Sequence, residues 1–161
     1  MPTAEGMPTL DDTITRVTAL HDGQVDKAGA PYVGHVMRVF RRVRQVFPEA
    51  PEDVLHAALL HDVLEDCDVT AADLRAAGYS ATTIAIVEAV AKIPDDGLTY
   101  AERVERLAAT GPRGAVQVKI CDLMDNSDPD RLSALPPEQA ASLSKRYRKA
   151  LSLLTERLER T

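Results

Sequence analysis

The sequence predicts an all-α protein, a single helical bundle of about seven or eight helices. Three observations carry that expectation. Apolar residues recur at three- and four-residue spacing in every long segment. Two-residue alternation with β-branched residues occurs only in the short stretch Val116 to Ile120. Capping residues, Gly and Pro punctuate the chain at helical lengths.

The elements follow in order. Thr9-Leu10-Asp11-Asp12 has the form of a capping box, so a first helix is expected from Thr9 to about His21. The Gly/Pro stretch DGQVDKAGAPY breaks it. A second helix carries Val36, Val39, Phe40, Val43 and Phe47 on one face, with Pro48 and Pro51 bracketing its end. Pro51-Glu52-Asp53 suits a helix start, and this third helix is expected to continue through Leu55 and Leu59 into the acidic stretch LLHDVLEDCD. Thr70 caps a short helix ending at Gly78, and Ser80 opens the next, through Ile84, Val87 and Val90. IPDDGLT reads as a loop. Thr99 to Ala109 is a short charged helix, and Pro112 to about Asn126 an apolar one. A last amphipathic helix, with a basic first half, covers about 137–160.

Composition narrows the function classes. The 161 residues are 45% hydrophobic and 27% charged, the profile of a globular domain with a real core. There is no Trp and aromatics make up 4%, so the core must be aliphatic. A net charge of −6 argues against a dedicated nucleic-acid binder, while a phosphate-bearing small molecule held by a metal or a few local cations stays compatible. Cys67 and Cys121 form no CxxC pattern and read as reduced thiols. MPTAEGMPTL has no basic or apolar signal region, and no apolar run reaches the ~18 residues of a membrane span, so a cytoplasmic location is expected. Oligomeric state leaves no mark.

Charged groups on apolar faces point to chemistry. On a continuous third helix, Leu55, Leu59 and Asp62 share the core-facing side. A carboxylate there must be paired, strongly hydrogen-bonded or metal-bound. His61 adjoins it, and Glu65 and Asp66 follow one turn on. The apolar helix around Val116 repeats the pattern at Asp122, with Lys119 and Asn126 one turn to either side. His35 sits likewise beside Val36. Asp122 could instead be a buried partner of Lys119, and His35 a satisfied core histidine. His56, far around the helix from His61, reads as a surface or packing residue. Taken together, His35, His61, Asp62 and Asp122 form a mixed imidazole–carboxylate set that suits Mn²⁺, Fe²⁺ or Zn²⁺ rather than a closed structural zinc site.

The order H…HD…D resembles the signature of the HD phosphohydrolase superfamily. Four segments, HDGQ, GAPYVGH, AALLHDVLEDCDVT and VKICDLMDN, are similar to the hydrolase domain of RelA/SpoT proteins and to small free-standing metazoan SpoT homologues. There the second reads G-x-P-Y-x-x-H, the third A-A-L-L-H-D-x-x-E-D-T and the fourth V-K-x-A-D-x-x-x-N. The resemblance covers about residues 17–132 and implies one HD domain over 1–161. It implies His35, His61, Asp62 and Asp122 as ligands of a divalent metal, most often Mn²⁺. It also implies Glu65 and Asp66 as the catalytic acids. Lys27, Tyr32, Lys119 and Asn126 are the candidate substrate contacts. The implied activity is hydrolysis of the 3′-diphosphate of a guanosine 3′,5′-bis(diphosphate), (p)ppGpp. Val25 and Asp26 stand where the family often carries two basic residues, and Cys67 where it has Thr. These departures leave two alternatives: hydrolysis of another nucleotide or phosphate ester, or nucleotide binding without catalysis. Asp26 is expected to repel substrate phosphates.

Overall fold

In the computed structural model of the chain, residues 6–92 and 96–160 are described. The N-terminal stretch MPTAE lies outside them, as does the first part of the expected loop IPDDGLT. Ten helical segments occur in this order: α1 (Leu10–Leu20), α2 (Tyr32–Val46), α3 (Glu52–Leu60), α4 (Val63–Asp66), α5 (Ala71–Ala76), α6 (Ala81–Val90), α7 (Tyr100–Thr110), α8 (Arg113–Asn126), α9 (Pro129–Leu132) and α10 (Pro137–Glu159). Among the described residues there is no strand, only an isolated bridge between Val25 and Pro31. The alternating stretch Val116 to Ile120 lies inside α8. No helix among the described residues is long and apolar enough to cross a membrane.

The helix starts follow from their capping chemistry. Thr9, Thr70 and Thr99 each accept a hydrogen bond from a backbone N–H three residues on, and Asp12, Asp73 and Glu102 return the bond to the cap residue. Ser80 caps α6 through the Thr83 amide.

Helix α8 is buried nearly all round, which explains why it lacks a polar face. It packs against α2, α3, α6, α7 and α10. Its approach to α3 and α6 is close at Gly114, where a Cβ would lie 2.8 Å from Val54 Cγ2 and 2.7 Å from Ile86 Cδ1. The fully buried Val36, Val39, Ala57, Leu59, Val116 and Leu123 form the aliphatic layer between α2, α3 and α8.

One expectation needs correction. The third helix does not run on through His61 and Asp62: it stops at Leu60 and restarts at Val63. The cause is local. The His61 ring donates from Nδ1 to the Ala58 carbonyl at 2.7 Å, the oxygen that an unbroken helix would give to the Asp62 amide. The His-Asp pair therefore sits at a junction between two helices, not on a helical stripe continuing from Leu55. Two four-residue helices, α4 and α9, are added to the eight expected segments.

Candidate metal centre and its clefts

Three elements meet at the junction. α2 contributes His35, the α3–α4 break contributes His61 and Asp62, and α8 contributes Asp122. His35 Nε2 lies 2.9 Å from Asp122 Oδ1 and 3.8 Å from Asp62 Oδ2. His61 Nε2 lies 3.0 Å from Asp62 Oδ2 and 3.4 Å from Asp122 Oδ1. His35, His61 and Asp62 each offer a ligand atom within 4.8 Å of the others. Both histidines are buried, and so is Asp122.

The tautomers follow from the other ring nitrogens. His61 Nδ1 faces a carbonyl and His35 Nδ1 faces Asp125 Oδ2 at 2.7 Å, nearer than the Arg131 guanidinium at 3.1 Å, and neither oxygen can donate. Each Nδ1 therefore carries the proton, and each neutral ring turns its Nε2 lone pair toward the carboxylates. His61 Nε2 has no aligned hydrogen-bond partner although Asp62 is close. Two lone pairs and two carboxylates facing one another repel unless a cation lies among them. Without a metal that cation is a proton: burial favours neutral rings, but Asp62 and Asp122 hold His61 well above the ordinary imidazole range, and Asp122 and Asp125 raise His35. Against its burial, Asp122 is held well below the usual carboxylate range by Lys119 and both histidines. The donor set fits a divalent metal, which would replace these protons.

Surrounding groups hold the ligands in place. The Tyr32 hydroxyl donates to Asp62 Oδ2. Lys119 Nζ lies 3.0 Å from Asp122 Oδ2, and Asn126 Nδ2 is 3.3 Å from Asp122 Oδ1. The ion pair that was the alternative reading of Asp122 is thus present, beside the histidine contacts. Asp125 accepts from His35, Arg38 (2.8 Å) and Arg131 (2.9 Å); against its burial, His35 and Arg38 hold its carboxyl at about 2. Glu65 accepts from the Lys92 backbone amide. Burial pushes the Glu65 and Asp66 carboxyls up, and Asp62 adds to the effect in both.

Sequence reasoning passed over Asp125, Arg38 and Arg131. Asp125 carried a usable signal: it lies three residues after Asp122 in an apolar helix, hence near the same face. Arg131 could not have been found from spacing, because it arrives on the short α9. The HDGQ segment also gains a physical role. Gln24 accepts from His21 and donates to the Asp66 carbonyl at 2.9 Å, tying the α1 end to α4. His56 is buried, not a surface residue; its Nδ1 meets the Thr13 hydroxyl at 2.9 Å.

Two clefts flank the centre. The larger, about 550 Å³, has His61, Asp62 and Asp122 in its wall with Glu65, and extends between α6, α7 and Arg146 of α10. The smaller, about 290 Å³, includes Lys27, Tyr32, Asn126 and Tyr147 with Leu135 and Leu143. The four candidate substrate contacts therefore divide: Lys119 on the larger cleft, the other three on the smaller. The expected repulsion from Asp26 needs correction. Its carboxylate accepts from the Ala28 and Ala30 amides at 2.9 and 3.0 Å and faces Arg131 at 3.3 Å. It is an anchor of its own loop, with its charge matched.

No family model matches this sequence. The chain is similar to a guanosine-3′,5′-bis(diphosphate) 3′-pyrophosphohydrolase of Vibrio cholerae, at 31% identity over 86% of this chain and 20% of that protein. It is 34% identical to a protein named for the same activity from Danio rerio, over 72% of this chain and 64% of that one. It thus spans less than two thirds of either relative. A solved structure described as a metazoan ortholog of SpoT that hydrolyses ppGpp superposes with a TM-score of 0.72 at 25% identity, covering 99% of this chain and 94% of that one. With its motif residues gathered at one site, this chain shares the helical fold of that SpoT ortholog and is similar in sequence to proteins named as guanosine-3′,5′-bis(diphosphate) 3′-pyrophosphohydrolases.

Proposed function

We propose that the chain is a metal-dependent phosphohydrolase that removes the 3′-diphosphate of a guanosine 3′,5′-bis(diphosphate), with Mn²⁺ as the metal. One observation carries the reading: two histidine Nε2 atoms and two carboxylates converge, and both Nδ1 atoms are already committed to acceptors. The activities for which the relatives are named supply the substrate.

In this reading His35, His61, Asp62 and Asp122 hold the metal. A divalent ion so held lowers the pKa of a water and offsets charge on phosphoryl oxygens. Water adds to the phosphorus attached to the 3′ oxygen, that P–O bond breaks, and pyrophosphate and guanosine 5′-diphosphate leave. Glu65 and Asp66 take the water's proton, and one is returned to the 3′ oxygen. Their raised carboxyls suit that exchange better than ordinary carboxylates. The Lys92 amide keeps Glu65 oriented. Lys119 occupies the Asp122 oxygen turned away from the histidines, and Tyr32 orients Asp62 by donating to the oxygen that faces them. The smaller cleft, with Tyr32, Tyr147 and Leu143, suits a flat guanine base, with Asn126 and Lys27 at its polar side.

We read residues 1–161 as one HD domain that acts in the cytoplasm on a small nucleotide rather than on nucleic acid. The test is a panel of nucleotides incubated with Mn²⁺ and analysed for products. Pyrophosphate and guanosine 5′-diphosphate from the bis(diphosphate), lost on chelation, are expected. Turnover of simple monophosphates alone would overturn the substrate assignment.

A further inference from the structure

A substrate with diphosphates at two ends needs a second set of cations away from the metal, and the smaller cleft does not offer one. Its arginine, Arg131, is shared among Asp26, Asp125 and Asn126. Only Lys27 is left on that side among the described residues.

The larger cleft differs. Lys119 Nζ, bonded to Asp122, stands 5.8 Å from the centre of the Tyr100 ring, and the Arg146 guanidinium stands 5.0 Å from the same centre. One aromatic ring thus links the metal side of the cleft to α10. The Tyr100 hydroxyl is buried and has no hydrogen-bond partner among the described residues. Arg106 and Arg146 line the same cleft and are exposed. Among the described residues neither has a carboxylate within salt-bridge distance. Of the acids of the outer cleft, Asp96 is paired with Arg103 at 2.6 Å and also feels the charge of Arg106, and Glu88 remains.

We propose that Arg106, Arg146 and the Tyr100 hydroxyl form a subsite in the larger cleft for the substrate's second, 5′ diphosphate. The proposal rests on the hydrolase reading above. Two guanidinium groups suit a diphosphate because each can present paired N–H donors to adjacent oxygens. The hydroxyl would donate to a third oxygen and so gain the partner it lacks. Lys119 remains with Asp122 and contributes charge only. The subsite also accounts for a chain that keeps Val25 and Asp26 in the opposite loop: cations for the 5′ end are supplied from α7 and α10.

The test compares guanosine 3′,5′-bis(diphosphate) with guanosine 3′-diphosphate, which lacks 5′ phosphates. Arg106→Ala and Arg146→Ala are measured against wild type, with Arg148→Ala as an exposed α10 control. Each cleft variant is expected to raise KM for the bis(diphosphate) about 10-fold, the scale of one charge-assisted contact. Its kcat should change less than about two-fold, and KM for the 3′-diphosphate should barely move. Arg148→Ala should match wild type. Equal shifts for both substrates, or none, overturn the subsite. If wild type turns over neither nucleotide, the hydrolase reading fails, and calorimetry with inorganic pyrophosphate then decides the subsite by itself. Weaker binding in both cleft variants supports it; unchanged binding overturns it.

Discussion

Two of the buried histidines, His56 and His61, sit in different surroundings. His56 and His61 are 1% and 3% exposed and close in sequence, one inside α3 and the other just past its end. Around His56, the Thr13 hydroxyl meets Nδ1 and is met in turn by Tyr79 at 2.6 Å, while Nε2 faces the exposed Glu52 carboxylate at 3.4 Å. A hydroxyl can turn to donate or accept, so a neutral ring is satisfied. Around His61 and His35 the Nδ1 protons are spent on acceptors, while the Nε2 atoms face carboxylates that cannot donate. Burial is therefore not what marks a functional histidine. What sets His35 and His61 apart is that both Nε2 atoms converge on two buried or half-buried carboxylates.

The largest contrast should appear in turnover. Glu65→Gln keeps shape and removes the proton acceptor, so kcat for the nucleotide is expected to fall about 10²-fold or more with metal binding retained. The parallel change near the other histidine, Glu52→Gln, should leave kcat unchanged, although Glu52 lies 3.4 Å from His56. Equal effects of the two would dissolve the distinction between the regions.

A smaller effect is expected one shell out. Asp125→Asn should weaken Mn²⁺ binding by about 10- to 100-fold in a competition titration, because the His35 ring loses its charged anchor. Thr13→Ala removes the matching support of His56. It should cost about 1–3 kcal/mol in denaturant unfolding and leave Mn²⁺ affinity alone. A Thr13→Ala protein that bound Mn²⁺ as poorly as Asp125→Asn would show that the two networks are one.

Proton competition gives the mildest effect. With folded pKa values above their unfolded ones, His35 and His61 stabilise the metal-free chain fully below their unfolded values, and that contribution is lost as pH rises through the raised ones. Mn²⁺ must displace the same protons. The gain in thermal midpoint on adding Mn²⁺ should therefore grow from pH 6 to pH 8 in wild type. In His61→Ala it should stay flat; a gain that shrank with pH would contradict the proton–metal exchange.

Much of this was legible in residue spacing. The capping residues Thr9, Thr70 and Thr99 set helix starts, and the aliphatic period of α2 identified its buried face. His35, His61, Asp62 and Asp122 stood out because each interrupts an apolar face. The break after Leu60 did not, since it depends on where the His61 ring finds an acceptor. Arg131 was hidden because it arrives on the short α9 and two of its partners, His35 and Asp26, are far away in sequence. The charge of Asp26 was misread for a related reason: composition shows a carboxylate, but only folding brings it two amides and a guanidinium.

The proposed function makes the converging acceptors a metal centre. The most direct test is one Mn²⁺ titration, read by elemental analysis, of wild type, His61→Ala and His56→Ala stripped of metal and reloaded together. A metal centre at His61 predicts stoichiometric, chelator-removable Mn²⁺ in wild type and His56→Ala, and none above background in His61→Ala. His61→Ala retaining as much Mn²⁺ as wild type would contradict it.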